Sequence, residues 1–365
     1  MIAKKIMRMP RKIDIELTAK CNLRCKYCYF FENPDAEYID LPTNDWIRFF
    51  DELGSIGVME VKLSGGEPFI RKDLKEIIDS IVKNRMRFSF NSNGGLVTDE
   101  IAAYIKKSGR CNSIQISLDG SCAAIHDKVR GHGSFAGAIR GLEILKKHDI
   151  QTRVRYTIHH FNVDDLENTA KYLLEDFGIP TFSTNSASFF GNCRKNAAEI
   201  MLTHSDRIKA MKTLEELNRK YGERIKAIAG PLTDVTYFKK MQKAFDENAP
   251  AFSKGGRLTA CGCYNSKLAV RCDGGITPCT MLSNITLGFI NKDKIIDIWQ
   301  NSVALSELRH RENIKLSEFE SCKDCDFTGY CTGNCPGLAY NYTQEVNHPS
   351  PDACYRNFLQ QTSAL

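Results

Sequence analysis

Six times in succession, between residue 12 and about residue 220, the chain passes from a short strand-like run to a stretch whose apolar residues recur at helical spacing. No other feature limits the fold as tightly. Lys12–Thr18 (KIDIELT) alternates polar and apolar residues and reads as a strand, as do Met59–Leu63, Arg87–Asn91, Ser113–Leu118, Thr152–Ile158 and Thr181–Asn185. Helices are predicted over Asn44–Gly54, Lys72–Lys83, Asp99–Lys107, Phe135–His148, Asp164–Asp176 and His204–Tyr221, with Thr98 and Asn162 as N-caps of the third and fifth. Such alternation builds a parallel sheet with helices outside it, either open or curling into a partial barrel. In both architectures the functional groups gather at the C-terminal ends of the strands. Here Cys21 follows the first strand, Gly65-Gly66-Glu67 the second, Asn93-Gly94 the third and Asp119-Gly120 the fourth. The unusual residues therefore share one rim.

The second constraint is cysteine. The chain has 365 residues and 15 cysteines, and its basic start, Met1 to Arg11, is followed by no apolar stretch of the kind that makes a signal peptide. Disulfide frameworks belong to small secreted domains, so closely spaced cysteines in a large chain point to metal or redox chemistry and a cytoplasmic location. No run of eighteen apolar residues is available to span a membrane. The formal charge of +6 is spread among interspersed acidic and basic residues, which argues against nucleic acid as a partner.

Cys21-Asn-Leu-Arg-Cys25-Lys-Tyr-Cys28 gathers three thiols on one loop directly after a strand. Three thiolates hold three corners of a [4Fe–4S] cube and leave the fourth iron open, as catalytic metals require. A zinc site with a distant fourth ligand is the other reading of these residues. The motif, with Tyr29 next to it, resembles the signature of the radical S-adenosylmethionine (SAM) superfamily. That resemblance implies a partial (β/α)6 TIM-type barrel over roughly residues 12 to 220. It also implies that SAM chelates the open iron and is cleaved to a 5′-deoxyadenosyl radical. Leu63-Ser-Gly65-Gly66-Glu67-Pro68 is similar to the family's Gly-Gly-Glu element, which holds the SAM amino group. The glycines allow close backbone approach to a ligand, and Glu67 can accept from an ammonium. Ser92, Asn93 and Ser117 resemble the family's ribose and carboxylate contacts, and Arg130 offers a planar fork for the carboxylate. Turn or surface placement is the alternative for these four.

After a helical bridge (residues 231–260, with the helix at about Leu232–Glu247) the composition changes. From Cys261 to Cys354 there are nine cysteines and little periodic structure, so this region needs metal to hold it together. Cys322-x2-Cys325-x5-Cys331-x3-Cys335, with Cys354 beyond and Cys261 and Gly274-x4-Cys279 upstream, resembles the SPASM extension of radical SAM enzymes. The chain would then divide into a barrel (1–230), the bridge, and a small cysteine-rich α+β domain (261–365). The resemblance assigns Cys261, Cys279 and Cys335 to one auxiliary [4Fe–4S] cluster, and Cys322, Cys325, Cys331 and Cys354 to a second. That makes three clusters in all. Cys263 either completes the first auxiliary set or leaves an open iron. A paired zinc ribbon is the alternative. Cys111, Cys122, Cys193 and Cys272 match no ligand position and are expected to be buried structural thiols.

SPASM-bearing relatives mostly act on peptides and proteins. The lead-in Glu16-Leu-Thr-Ala-Lys-Cys21 looks most like maturases of ribosomally made peptides, with a likeness to spliceases, which excise part of a tyrosine. Thioether formation, epimerisation and carbon–carbon crosslinking stay open, as does maturation of a sulfatase or a quinone cofactor. The Ser64 that precedes Gly-Gly-Glu-Pro replaces a Gln common in sulfatase maturases. About eleven residues precede the first strand, so a precursor peptide with a leader would need a separate recognition protein. A flavodoxin or ferredoxin would supply electrons. The competing class is a non-catalytic iron–sulfur electron carrier, which has no need of a SAM pocket.

Overall fold

The computed structural model describes residues 6–32, 37–259 and 261–363. The first five residues of the basic N-terminus lie outside that description. Ten strands form one sheet: β1 (Lys12–Thr18), β2 (Glu60–Gly65), β3 (Arg87–Ser92), β4 (Cys111–Ser117), β5 (Thr152–Ile158), β6 (Phe182–Ser186), β7 (Ile225–Ala227), β8 (Lys267–Val270), β9 (Gly275–Thr277) and β10 (Gly288–Phe289). Their order is β10-β9-β8-β1-β2-β3-β4-β5-β6-β7. Every neighbouring pair from β8 to β7 is parallel, while β9 and β10 add antiparallel ribbons at one end. The result is the expected α/β partial barrel, with helices packed outside.

Strand alternation decides what lies within. Ile13, Ile15 and Leu17 of β1, Val61 and Leu63 of β2, and Ile114 and Ile116 of β4 point outward into a continuous apolar core. That core includes Trp46, Phe49 and Ile77 from the surrounding helices. The intervening residues point inward, and they are polar: Lys12, Asp14, Glu60, Lys62, Ser89, Gln115 and Arg155 line one cavity of about 1510 Å³. Lys267 reaches in from β8 to pair with Asp14 at 2.9 Å, and Lys12 pairs with Glu60 at 2.6 Å. Lys62 and Lys267 outweigh the burial of Asp14 and hold its carboxyl below the usual range.

Two expectations are corrected here. The parallel run is longer than six strands. β7 lengthens it at one edge, and β8 lengthens it at the other from within the cysteine-rich segment, pairing Lys12 with Lys267 and Ile15 with Val270. Both strands are too short to show periodicity. The helix predicted over Asp164–Asp176 is a 3₁₀ turn (Val163–Asp165), an α-helix (Leu166–Lys171) and a π turn (Tyr172–Asp176). Asn162 does not cap it. Its side chain accepts from His159 N at 2.8 Å and donates to Asp119 O at 3.0 Å and Thr157 O at 2.9 Å, so it organises the β4 and β5 ends instead. Thr98, by contrast, accepts from Ile101 N as expected of a cap. The helix Ala123–Arg130 went unpredicted, because its turn-rich surroundings masked a single amphipathic repeat. Among the described residues no helix is long and apolar enough to cross a membrane.

Candidate active site

The rim begins where β1 and β2 end. Gly66 N donates to Thr18 O and Glu67 N to Lys20 O, each at 2.8 Å, so the chain leaving β2 runs against the start of the cysteine loop. A Cβ on Gly65 would lie 2.7 Å from Thr18 O, and one on Gly66 would lie 2.1 Å from Lys20 O. Gly65 also has φ +108. The glycines are required here by the chain's own loop, whose carbonyls lie where a Cβ would stand.

Cys21, Cys25 and Cys28 all face the cavity. Leu23 N donates to Cys21 Sγ at 3.4 Å, and Cys28 N closes a turn onto Cys25 O at 3.1 Å. Burial, with Cys25 beside it, pushes the Cys28 thiol up to about 12, and burial raises Cys21 and Cys25 as well. Such sulfurs do not ionise unaided, whereas iron bound to them stabilises the thiolate.

Glu67 is 1% exposed. Its carboxylate accepts from Ser92 Oγ and Asn93 N, both at 2.8 Å, and from Phe69 N at 3.3 Å. Burial still lifts its pKa to about 7. A carboxylate has about four acceptor positions, so one remains for a cation in the cavity. Ser92 is occupied in holding Glu67 and in accepting from Gly94 N at 2.9 Å. Asn93 reaches Asn22 Oδ1 at 2.8 Å and approaches Cys21 Sγ at 3.9 Å. Ser117 lies on the cavity wall at the end of β4. Tyr29 is half-buried on the cavity wall near Ser64 and Glu16, and desolvation raises its phenol far above the ordinary range.

Arg130 is placed by a residue that the sequence reading had marked only as a strand end. Asp119, fully buried, accepts from Arg130 Nε, from Tyr27 OH and, at 2.8 Å, from Thr157 N. Arg130 stands against burial because of this partner, and the pairing keeps Asp119 ionised below the usual carboxylate range. The guanidinium Nη1 is 4.0 Å from Cys25 Sγ. Tyr27 lies inside the cysteine motif, and its position beside Cys28 is its only signal in the sequence.

Eight of the remaining thiols fall into two groups. Cys263 hydrogen-bonds to the sulfurs of Cys261 and Cys279, and Cys335 is an electrostatic neighbour of Cys261 and Cys279. Cys322 and Cys331 are electrostatic neighbours of each other, and each is also a neighbour of Cys325 and Cys354. Backbone N–H groups face several sulfurs: Met281 N to Cys279 at 3.2 Å, Cys263 N to Cys261 and Gly333 N to Cys331, both at 3.5 Å. Half-buried thiols grouped in this way and facing amide donors suit iron–sulfur ligation. Among the described residues no three His, Cys, Asp or Glu side chains converge on a point fit for a single metal ion, and a four-iron cube, with one thiolate per iron, needs no such point. The first of these groups lines the same cavity as Cys21, Cys25 and Cys28. Of the four unassigned cysteines, Cys193 and Cys272 are buried as expected, Cys111 is half-buried, and Cys122 is exposed at the start of the helix Ala123–Arg130.

Comparison with known proteins agrees with this geometry. Residues 15–173 match the radical SAM superfamily, and residues 261–326 match the SPASM iron–sulfur cluster-binding domain. The chain is a radical SAM enzyme with a C-terminal SPASM region. Its cofactors are SAM and [4Fe–4S] clusters. It is similar to an AdoMet-dependent heme synthase of Methanosarcina barkeri, with 28% identity over 95% of this chain and 97% of the relative. It is also similar to the subtilosin biosynthesis protein AlbA of Bacillus subtilis, with 26% identity over 89% of this chain and 67% of that one. In fold it matches Streptococcus suis SuiB bound to its precursor peptide SuiA, with a TM-score of 0.71 at 15% identity, over 96% of this chain and 76% of SuiB.

The crowded rim gives a direct expectation. Gly66→Ala forces the Lys20 peptide aside, which costs about 1–3 kcal/mol of stability as an overpacking substitution. Denaturant unfolding of the metal-free chain measures that loss. Iron analysis after anaerobic reconstitution is expected to find iron retained by the C-terminal thiols and lost from the Cys21 loop.

Proposed function

We propose that this radical SAM enzyme modifies a residue of a ribosomally made precursor peptide. The observation that carries the reading is the single cavity reaching from Cys21, Cys25 and Cys28 to Cys261, Cys263, Cys279 and Cys335, so that one substrate segment meets both groups. Similarity to AlbA and to a PqqA peptide cyclase of Bradyrhizobium diazoefficiens supports a peptide. Tyramine excision, thioether formation, epimerisation and carbon–carbon crosslinking are the reactions in view.

In this reading Cys21, Cys25 and Cys28 hold the radical-generating cluster. Cys261, Cys263, Cys279 and Cys335 hold one auxiliary cluster, and Cys322, Cys325, Cys331 and Cys354 hold the other. A cluster held by Cys21, Cys25 and Cys28 would supply the electron for reductive cleavage of SAM. The protein's share is orientation. Glu67 would accept from the SAM ammonium and the guanidinium of Arg130 would serve its carboxylate, with Ser117 and Asn93 on the same cavity wall. Tyr29, which lines the same cavity beside the loop, would flank the cofactor. A flavodoxin or ferredoxin donates electrons. A separate leader-binding protein contributes binding energy remote from the reacting C–H bond and raises the effective concentration of the core peptide.

A second reading, a tetrapyrrole substrate, is favoured by the near full-length similarity to a heme synthase. The deciding assay incubates the reconstituted enzyme with a leader-bearing peptide, with and without a leader-binding protein, or with a porphyrin. Peptide-dependent 5′-deoxyadenosine and a mass change in the peptide are expected. Turnover of the porphyrin alone would overturn the peptide assignment.

Three clusters correspond to roughly 12 irons per chain. Replacing Cys21, Cys25 and Cys28 together by Ala is expected to abolish 5′-deoxyadenosine formation and leave the auxiliary clusters visible by electron paramagnetic resonance. Stoichiometric zinc in place of iron would refute the ligand assignment.

Glu67→Ala removes a charge-assisted contact worth about 1.5–3 kcal/mol, or roughly ten- to hundred-fold in SAM affinity. Isothermal titration measures it, and unchanged binding would relocate the SAM pocket.

A further inference from the structure

The segment that follows β6 grips the cysteine loop from behind. Gly191, at φ +48, sits where three carbonyls converge, and a Cβ there would lie 2.4–2.5 Å from the oxygens of Phe31, Cys28 and Tyr29. The next residue, Asn192, donates twice: its backbone N to Cys28 O at 2.9 Å and its side-chain Nδ2 to Cys25 O at 3.2 Å. Asn196 Nδ2 adds a bond to Lys26 O at 2.9 Å. Three carbonyls of the Cys25–Cys28 turn, two of them belonging to cysteines, are thus fixed from one short stretch.

The same stretch faces two other places. Ala187, Ser188 and Phe190, just before it, line the cavity. Phe189 stacks on Tyr342 with ring centroids 5.3 Å apart, and Arg194 hydrogen-bonds Asn341. Both partners belong to the helix Pro336–Thr343, which starts directly after Cys335. The grip on the Cys25–Cys28 turn is therefore anchored in the C-terminal region and borders the space a substrate would fill.

We infer that Asn192 is a positioning residue for the radical-generating cluster, setting the relative placement of the Cys25 and Cys28 sulfurs through their own carbonyls. This rests on the assignment of Cys21, Cys25 and Cys28 to that cluster. Cys25 O accepts from both Cys28 N and Asn192 Nδ2, so loss of the side-chain bond frees the Cys25 peptide to turn and carries its sulfur with it. A positioning role of this kind reaches SAM, whose chelation depends on where the open iron points.

The test uses the full chain, anaerobically reconstituted. Asn192→Leu keeps the volume and removes the donor, and Asn192→Ala repeats the test without the bulk. The measurements are iron content, SAM affinity, and the paramagnetic resonance spectrum of the reduced enzyme with and without SAM. The spectrum of the Cys21/Cys25/Cys28→Ala enzyme is subtracted, to isolate the radical cluster. Expected in both variants are unchanged iron on the auxiliary thiols, roughly 2- to 10-fold weaker SAM binding, and an altered SAM-induced change in the radical-cluster signal. Spectra and affinity equal to the wild type, even in a variant of lower thermal stability, would reduce Asn192 to a structural residue and overturn the inference alone. Absence of any SAM-induced change in the wild type would overturn the cluster assignment beneath it.

Discussion

The rim depends on the edge-to-edge contact between the chain leaving β1 and the chain leaving β2. Two backbone hydrogen bonds, Gly66 N to Thr18 O and Glu67 N to Lys20 O, lengthen the β1–β2 pairing beyond the sheet and into the cysteine loop. From there the linkage spreads sideways. Glu67 takes hold of Ser92 and Asn93 at the end of β3, and Asn93 returns to Asn22 and Cys21. Asp119 does the same for the other half of the rim, joining Tyr27 of the loop to Arg130 and to β5. Removing one member of a buried ion pair of this kind typically costs about 3–5 kcal/mol, because the other charge is stranded. Four strand ends and one loop are held by two carboxylates.

Below the rim the barrel is filled unlike an ordinary TIM barrel, whose interior is packed with branched apolar side chains. Here Asp14 lies among Lys12, Lys62 and Lys267, and Glu60 takes Lys12 and Ser89. Arg155 bonds only weakly, to Gln115 at 3.3 Å, and its Nε has no partner among the described residues. Charged layers hold the lumen open where methyl groups would collapse it. The apolar work of folding is moved to the outer face of the sheet, where Ile13, Ile15 and Leu63 meet the helices.

Much of this could be read from the sequence. β1 and β5 have the bounds that alternation gave them, because each has one apolar and one polar face and so a clear period of two. The cysteine groupings and Glu67 announced themselves by spacing. What was hidden is long-range. β8 has four residues and no pattern of its own, and it is a strand because β1 offers an edge. The place of Gly65 and Gly66 was legible, but the backbone they accommodate was not, since it comes from 46 and 47 residues earlier. Asn192 and Asn196 look like ordinary loop residues until the carbonyls they serve are seen. Asp119 ends a strand in a Asp-Gly pair that any turn might use, and only Tyr27, Arg130 and Thr157 arriving together give it meaning.

The insertion of β8 beside β1 has a consequence for how the chain is made. In the finished protein β1 is an interior strand, flanked by β2 and β8. On the ribosome it is an edge strand until Lys267–Val270 emerge, about 250 residues later. At 5–20 residues per second that wait lasts roughly 13–50 s. Throughout it, the strand leading into the Cys21 loop shows unpaired backbone to its surroundings, and exposed edges of this kind recruit other strands. The charges that β1 turns inward, Lys12 and Asp14, discourage such pairing, so the lumen's ion pairs protect the nascent chain before they ever line a cavity.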